Sequence, residues 1–394
     1  MEHLFIPDKE PARILNTSEI KEIVLDRNKK QTIYNQDMFG PIKEDTVILV
    51  IFVQKSTINL KFMIMSLSQV TGIQETLIVF SHSRYDEHFD NLIKAIDFCR
   101  VMQIYFPYSL QLYPSEFPGF TPGDCVPDQS LSVAEYLHCN GASNPDMHGR
   151  FRNPQDAEKK HYWWWTANHV FENLKIIDNH NGVVIFIEHD YIFIDDFLYM
   201  TLLMKKISST IPGCELLALA ATEPSDDHAT VDVMSWDPAL HSGVLAFDLS
   251  TWNSIVSHYD LFCDIDDYSW AESLSYLSLN RIDGDKYRVM SSKFPRAYKT
   301  DKCIVFGSFA ECDVQAGVHQ IYNLRDQVSS HLFPTYIEVF VDIEFEDQYT
   351  SFDYVDVNGG WNDPRDKALC RNLTVFKIKK EILQMHHQFD GILE

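Results

Sequence analysis

The sequence predicts an α/β fold with a mostly parallel central sheet and flanking helices. Three observations carry that prediction: short continuous apolar runs that read as strands buried on both faces, helix-period segments alternating with them, and a hydrophobic content of 45% over 394 residues, enough for a large core. Thr46 to Val53 (TVILVIFV) is the first such run. Ile58, Phe62, Met65 and Val70 then recur near helical spacing, Thr76 to Phe80 is a second strand, Asp86 to Phe98 an amphipathic helix, and Val101 to Phe106 a third strand. This is the β-α-β-α-β opening of a parallel sheet with crossover helices.

Tyr108 to Pro154 is rich in proline and glycine and holds Cys125 and Cys139, so it reads as a long loop excursion. A helix is predicted from Gln155 through Trp163, Trp164 and Trp165 toward Ile177. Gly182 to Ile187 (GVVIFI) is a buried strand ending in Glu188, His189 and Asp190. Leu216 to Ala221 and Ser242 to Asp248 are further strands, and Tyr268 to Leu279 is a helix. No repeat or linker forces a split, so residues 1–43 are read as an N-terminal arm and 44–394 as one large α/β unit.

Lys plus Arg (33) against Asp plus Glu (57) leaves a net charge of −24. That surplus repels phosphate backbones and excludes nucleic acid as a partner. An anionic ligand would need a local cation or metal. Eight cysteines without close C-x-x-C pairs point to disulfides rather than a zinc ribbon. The sequons Asn16-Thr17-Ser18 and Asn372-Leu373-Thr374 are compatible with a secretory route, whereas Met1 to Asn16 has no apolar leader core and the run Val47 to Val53 is too short to span a bilayer. Either an anchor precedes this chain or the protein is not secreted.

The sharpest chemical feature is the strand GVVIFI running into Glu188-His189-Asp190, because open parallel sheets bind ligands outside the carboxyl ends of their strands. Acids placed there suit a hard metal ion and a diphosphate. Longer matches sharpen this: IVFSH at 78–82, Asn91 to Cys99, FPYSLQLYPSEFPG at 106–119, KHYWWW at 160–165, Ile187 to Phe197, FCDIDDYSW at 262–270 and NGGWNDPRDKALC at 358–370. On these collinear stretches the chain resembles the N-acetylglucosaminyltransferase II family. The resemblance implies a GT-A-type nucleotide-sugar transferase fold in the Golgi lumen and an inverting transfer of GlcNAc from UDP-GlcNAc, with Mn²⁺, to the α-1,6 mannose arm of N-glycans.

The resemblance also implies disulfides Cys125–Cys139, Cys263–Cys370 and Cys303–Cys312, with Cys99 and Cys214 free; a further bridge of the family is replaced by His258 and Arg281. It makes Asp190 the metal carboxylate, with Glu188 and His189 shaping the site, and puts Lys299 where the family has a metal histidine. Val53, Gln54, Lys160 and His161 fall on donor-binding segments, with Gln54-Lys55-Ser56 and Ser83 departing from the family's nucleotide contacts and an arginine missing near Glu223 to Asp227. Asp267 falls in the catalytic segment, whose base position is Ala271, leaving Glu272 one place later as the candidate base. These departures motivate a second expectation, a weak or inactive homologue that binds glycans or a partner. Successive residues of a helix point about 100° apart, so the three tryptophans are expected in the core rather than on one sugar platform, and Trp361 is expected near the Cys263–Cys370 bridge.

Overall fold

The structure, a computed structural model, describes residues 15–54, 56–177, 180–220, 223–281, 286–342 and 357–374. The expectations placed on residues 1–14, on Lys55 and on Ala221 lie outside the described residues. The chain divides into two compact units: residues 1–105, 179–251 and 284–351 form the first, and 106–178, 252–283 and 352–394 the second.

Every named strand belongs to the first unit. They are β1 (Ile33–Tyr34), β2 (Ile48–Val53), β3 (Leu77–His82), β4 (Arg100–Tyr105), β5 (Val183–Glu188), β6 (Tyr191–Phe193), β7 (Cys214–Ala218), β8 (Thr230–Ser235), β9 (Val244–Asp248), β10 (Arg288–Ser292), β11 (Ala297–Lys299), β12 (Lys302–Val305), β13 (Ser308–Glu311) and β14 (Glu338–Val341). Ten of them form one sheet in the order β1-β4-β3-β2-β5-β9-β7-β10-β8-β14. The block β4-β3-β2-β5 is parallel, as predicted, and β9 lies antiparallel to both β5 and β7. Residues of β2, β3 and β4 are buried throughout, which is why β2 reads as an unbroken apolar run rather than an alternating one.

The crossover helices start where short polar caps satisfy free backbone N–H groups. Asp86 accepts from His88 N at 2.9 Å to open the helix Glu87–Lys94, and Ser56 accepts from Asn59 N at 3.5 Å to open Thr57–Leu67. Within the segment read as an arm, Asn16 and Glu19 form a capping box on the helix Thr17–Lys30. Asn28 exchanges two hydrogen bonds with the Tyr105 backbone, and β1 pairs with β4, so this stretch is woven into the first unit.

The second unit is helical, built on Pro154–Asn168, Tyr259–Asp264, Trp270–Asn280 and Pro364–Thr374. Its tryptophans pack as expected of core residues: Trp163, Trp164 and Trp165 are 3, 0 and 7% exposed, Trp163 stacks on Trp270 at 4.4 Å, and Trp164 on Phe262 at 4.2 Å. The predicted helix to Ile177 ends sooner, passing into a π turn over His169–Asn173. The loop 108–154 contains a helix, Leu131–Leu137, that carried no periodic signal because Ala134 is its sole buried residue.

All three implied disulfides are formed, and Cys99 and Cys214 are free and buried. Where a further bridge was expected to be lost, His258 Nδ1 approaches the Ser254 carbonyl at 3.0 Å and Arg281 Nη1 donates to Ser254 Oγ at 3.0 Å. Two polar bonds to one serine tie together what a covalent link would have joined. Trp361 is fully buried and donates its indole N–H to the carbonyl of Cys263, beside the Cys263–Cys370 bridge.

Candidate functional site

In the first unit the site forms where β2 and β5 end side by side. The parallel register sets Phe52 opposite Glu188, so the next residues of each strand emerge together at the carboxyl edge. Val53 is buried as the last residue of β2, and its carbonyl receives Ser83 N at 3.5 Å. Gln54, just beyond, donates from Nε2 to Glu188 Oε2 at 2.9 Å. His189 is 5% exposed, and burial draws its pKa below the ordinary value against the opposing pull of Asp190.

Asp190 is held from the opposite side by a two-stranded ladder. β11 pairs antiparallel with β6, setting Lys299 opposite Tyr191, and Thr300 N donates to the Asp190 carbonyl at 2.8 Å. This delivers the Lys299 ammonium to 3.4 Å from Asp190 Oδ2. Burial works against the lysine's charge, but Asp190 and Glu188 outweigh it, and the pKa is raised. Asp190 Oδ1 is buried and has no hydrogen-bond partner among the described residues. Gly243 leaves room for the neighbouring ring, since a Cβ there would meet the Tyr191 hydroxyl at 2.2 Å.

The residues here do not fit Mn²⁺, the cofactor the resemblance implies. One oxygen of Asp190 already faces an ammonium and one oxygen of Glu188 an amide, and a divalent ion seated on Asp190 would meet the lysine's charge at close range.

The remaining predicted site residues lie in the second unit, where Lys160, His161 and Asp267 are buried. Lys160 is fully buried; its ammonium nitrogen donates to the Asp267 carbonyl at 2.7 Å and sits 4.2 Å from the Trp361 ring centre. Burial draws its pKa well below the usual lysine value. His161, 1% exposed, meets Asp366 at 2.9 Å, and Asp366 also receives Arg152 at 2.5 and 3.0 Å. Burial alone would raise the Asp366 pKa, but His161 and Arg152 hold it below the ordinary value. The sequence reading missed Asp366 and Arg152, although Asp366 lies within the NGGWNDPRDKALC stretch.

Asp267 is fully buried and accepts from Ser269 N at 2.7 Å, Asn358 N at 2.8 Å and Asn358 Nδ2. Lys160, His161 and Asp267 thus position backbone and aromatic rings within the second unit, where burial leaves no exposed face for a donor molecule. Ala271 is 8% exposed, and Glu272 stands in the first turn of Trp270–Asn280, its N–H capped by Ser269 Oγ at 3.3 Å. Asp266, next to Asp267, accepts from Met147 N at 2.9 Å and Trp361 N at 2.8 Å.

Comparison with known proteins follows this geometry. Residues 21–370 match the family profile of N-acetylglucosaminyltransferase II (MGAT2). The chain belongs to that family. Relatives named alpha-1,6-mannosyl-glycoprotein 2-beta-N-acetylglucosaminyltransferase include the protein of Rattus norvegicus, 31% identical over 90% of this chain and 80% of its own length, and that of Homo sapiens, 30% identical over 90% and 79%. The Arabidopsis thaliana relative of the same name is 34% identical over 60% of this chain and 54% of its own. Among solved structures, S. aureus TarS (residues 1–349) aligns with TM-score 0.35 at 8% identity over 64% of this chain and 60% of that one. A Pyrobaculum calidifontis mannosyltransferase in complex with GDP-Man and Mn²⁺ aligns with TM-score 0.30 at 8% identity over 71% and 66%. Scores this low add nothing to the family assignment. No helix of the described residues is long and apolar enough to cross a membrane.

Proposed function

We propose that this member of the N-acetylglucosaminyltransferase II family moves GlcNAc from UDP-GlcNAc, in β-1,2 linkage and with inversion, to the α-1,6 mannose arm of an N-glycan. The observation that supports it most is family membership over residues 21–370 joined to a Glu188-His189-Asp190 motif at the carboxyl edge of a parallel sheet. In the transfer, the acceptor hydroxyl oxygen bonds the anomeric carbon and the bond from that carbon to the diphosphate oxygen breaks. The electron pair leaves with UDP, and the hydroxyl proton passes to a general base. Glu188 and Asp190, with Gln54 and Lys299, are proposed to meet the donor. Mn²⁺ enters no step, since the site residues do not fit it. Three disulfides suit an oxidising compartment, and the Golgi lumen is the proposed location.

The test is direct: incubate the purified protein with UDP-GlcNAc and a mannosyl core glycan already carrying GlcNAc on its other arm, with Mn²⁺ and separately with a chelator. A mass gain of one N-acetylhexosamine is expected. No gain at saturating substrate in either condition overturns the reading.

Ala271 favours a second reading. A methyl group cannot accept a proton, and loss of a general base lowers rates by roughly 10² to 10⁴. On that reading the protein binds glycans or a partner without turnover, and calorimetry would show glycan binding in the absence of UDP binding.

A further inference from the structure

We propose that Lys299 is the built-in cation of the donor site, so that the protein binds the diphosphate of a nucleotide sugar without a divalent metal. The inference rests on the donor reading above and says how that site handles charge. The chain carries a surplus of 24 negative charges, and the carboxyl edge of β5 adds Glu188 and Asp190 where a diphosphate is to sit. Such a site repels its ligand unless a positive charge is fixed beside it.

The fold supplies one by strand register. Lys299 ends β11 opposite Tyr191, and the Thr300-to-Asp190 backbone bond pins this ladder against the acidic motif. The ammonium therefore stands 3.4 Å from Asp190 Oδ2, with the Tyr191 ring 5.6 Å from it on another side. An ammonium has three donors, and the Lys299 side chain is 40% exposed, so N–H groups remain to reach phosphate oxygens. Asp190 thus orients the lysine, and the lysine neutralises the charge that grows on the departing diphosphate when the sugar–phosphate bond breaks. A compact, strongly hydrated point charge is suited to that task, as it is in other phosphate-binding lysines.

Calorimetric titration of UDP decides the matter, using the intact protein and the variants Lys299→Ala, Lys299→Arg and Lys299→His, each checked for an unchanged melting temperature. The wild type is expected to bind UDP equally, within about twofold, with chelator and with saturating Mn²⁺. Lys299→Ala weakens binding about tenfold or more, and Lys299→Arg retains it within about threefold because the charge is kept. Lys299→His trades the ammonium for a metal-ligating imidazole, and its UDP affinity rises about tenfold or more on adding Mn²⁺. If the wild type binds UDP only with Mn²⁺, or if Lys299→Ala binds as well as wild type, the lysine proposal is overturned and the donor reading stands. If the wild type binds no UDP in either condition, the donor reading itself falls.

Discussion

Two sets of charged residues, one in each unit, are held in opposite ways. In the second unit, Lys160, His161, Asp267, Asp366 and Arg152 are all buried to 8% exposure or less, and their polar contacts end on one another, on backbone or on aromatic faces. In the first, the Lys299 and Asp190 side chains keep 40 and 17% exposure, and Asp190 Oδ1 has no hydrogen-bond partner among the described residues. Lys160 and His161 in the second unit and Lys299 in the first fall on segments that resemble a donor-binding pattern. What separates them is burial: a charged group closed off from water inside the protein holds structure, while one left partly exposed at a strand edge can still bind a ligand.

The hardest blow to this contrast falls on Asp366. Asp366→Ala leaves the Arg152 guanidinium buried without a countercharge, and a loss of about 3–5 kcal/mol of unfolding free energy is expected by chemical denaturation. Stability close to wild type would show that the second unit's network is not structural. Asp190→Ala should do the reverse, lowering GlcNAc transfer by about 10² to 10³ through loss of the oriented charge at the donor while the denaturation midpoint stays near wild type. A variant that transfers normally would remove the first unit's site.

Acid should not distinguish the units. His82 in the first and His169 in the second are both buried, and burial lowers each pKa to about 4. The unfolded chain therefore takes up these protons first, near pH 6.5. The stability each neutral ring contributes is complete above that pH and is lost as pH falls from 6.5 toward 4, by about 2–3 kcal/mol per histidine. Denaturation curves across that range should flatten by about one proton in each of His82→Gln and His169→Gln, and an unchanged slope would count against burial as the cause. The smallest effect is expected from Gln54→Ala, which removes an exposed hydrogen bond to Glu188. Unfolding free energy should stay within about 0.5 kcal/mol, while UDP affinity shifts several-fold as Glu188 loses its tether, roughly 1 kcal/mol in binding.

The parallel block was legible because strands buried on both faces cannot alternate; TVILVIFV and GVVIFI announce themselves. The short strands β6 and β11 were not. Each has three residues and gains its meaning from the ladder that sets Lys299 against Asp190, a pairing over a hundred residues of sequence that no local pattern encodes. The helix Leu131–Leu137 escaped for the opposite reason, since its apolar side chains Leu131, Val133, Tyr136 and Leu137 face solvent and break the period that marks a buried face.

The sequence by itself determined the α/β class, the family and the cysteine pairing, because these follow from apolar periodicity and from long collinear matches that survive divergence. It also showed that a lysine stands where a metal histidine was expected. Only the tertiary structure showed where that lysine stands, 3.4 Å from Asp190 Oδ2. Whether an ammonium is a solvated surface charge or part of a site depends on its distance to a carboxylate and on how much water remains around both, and those are properties of strand register and packing rather than of residue type. The same reason places Lys160 and His161 in the interior of the second unit, since burial is settled only once helices close around them.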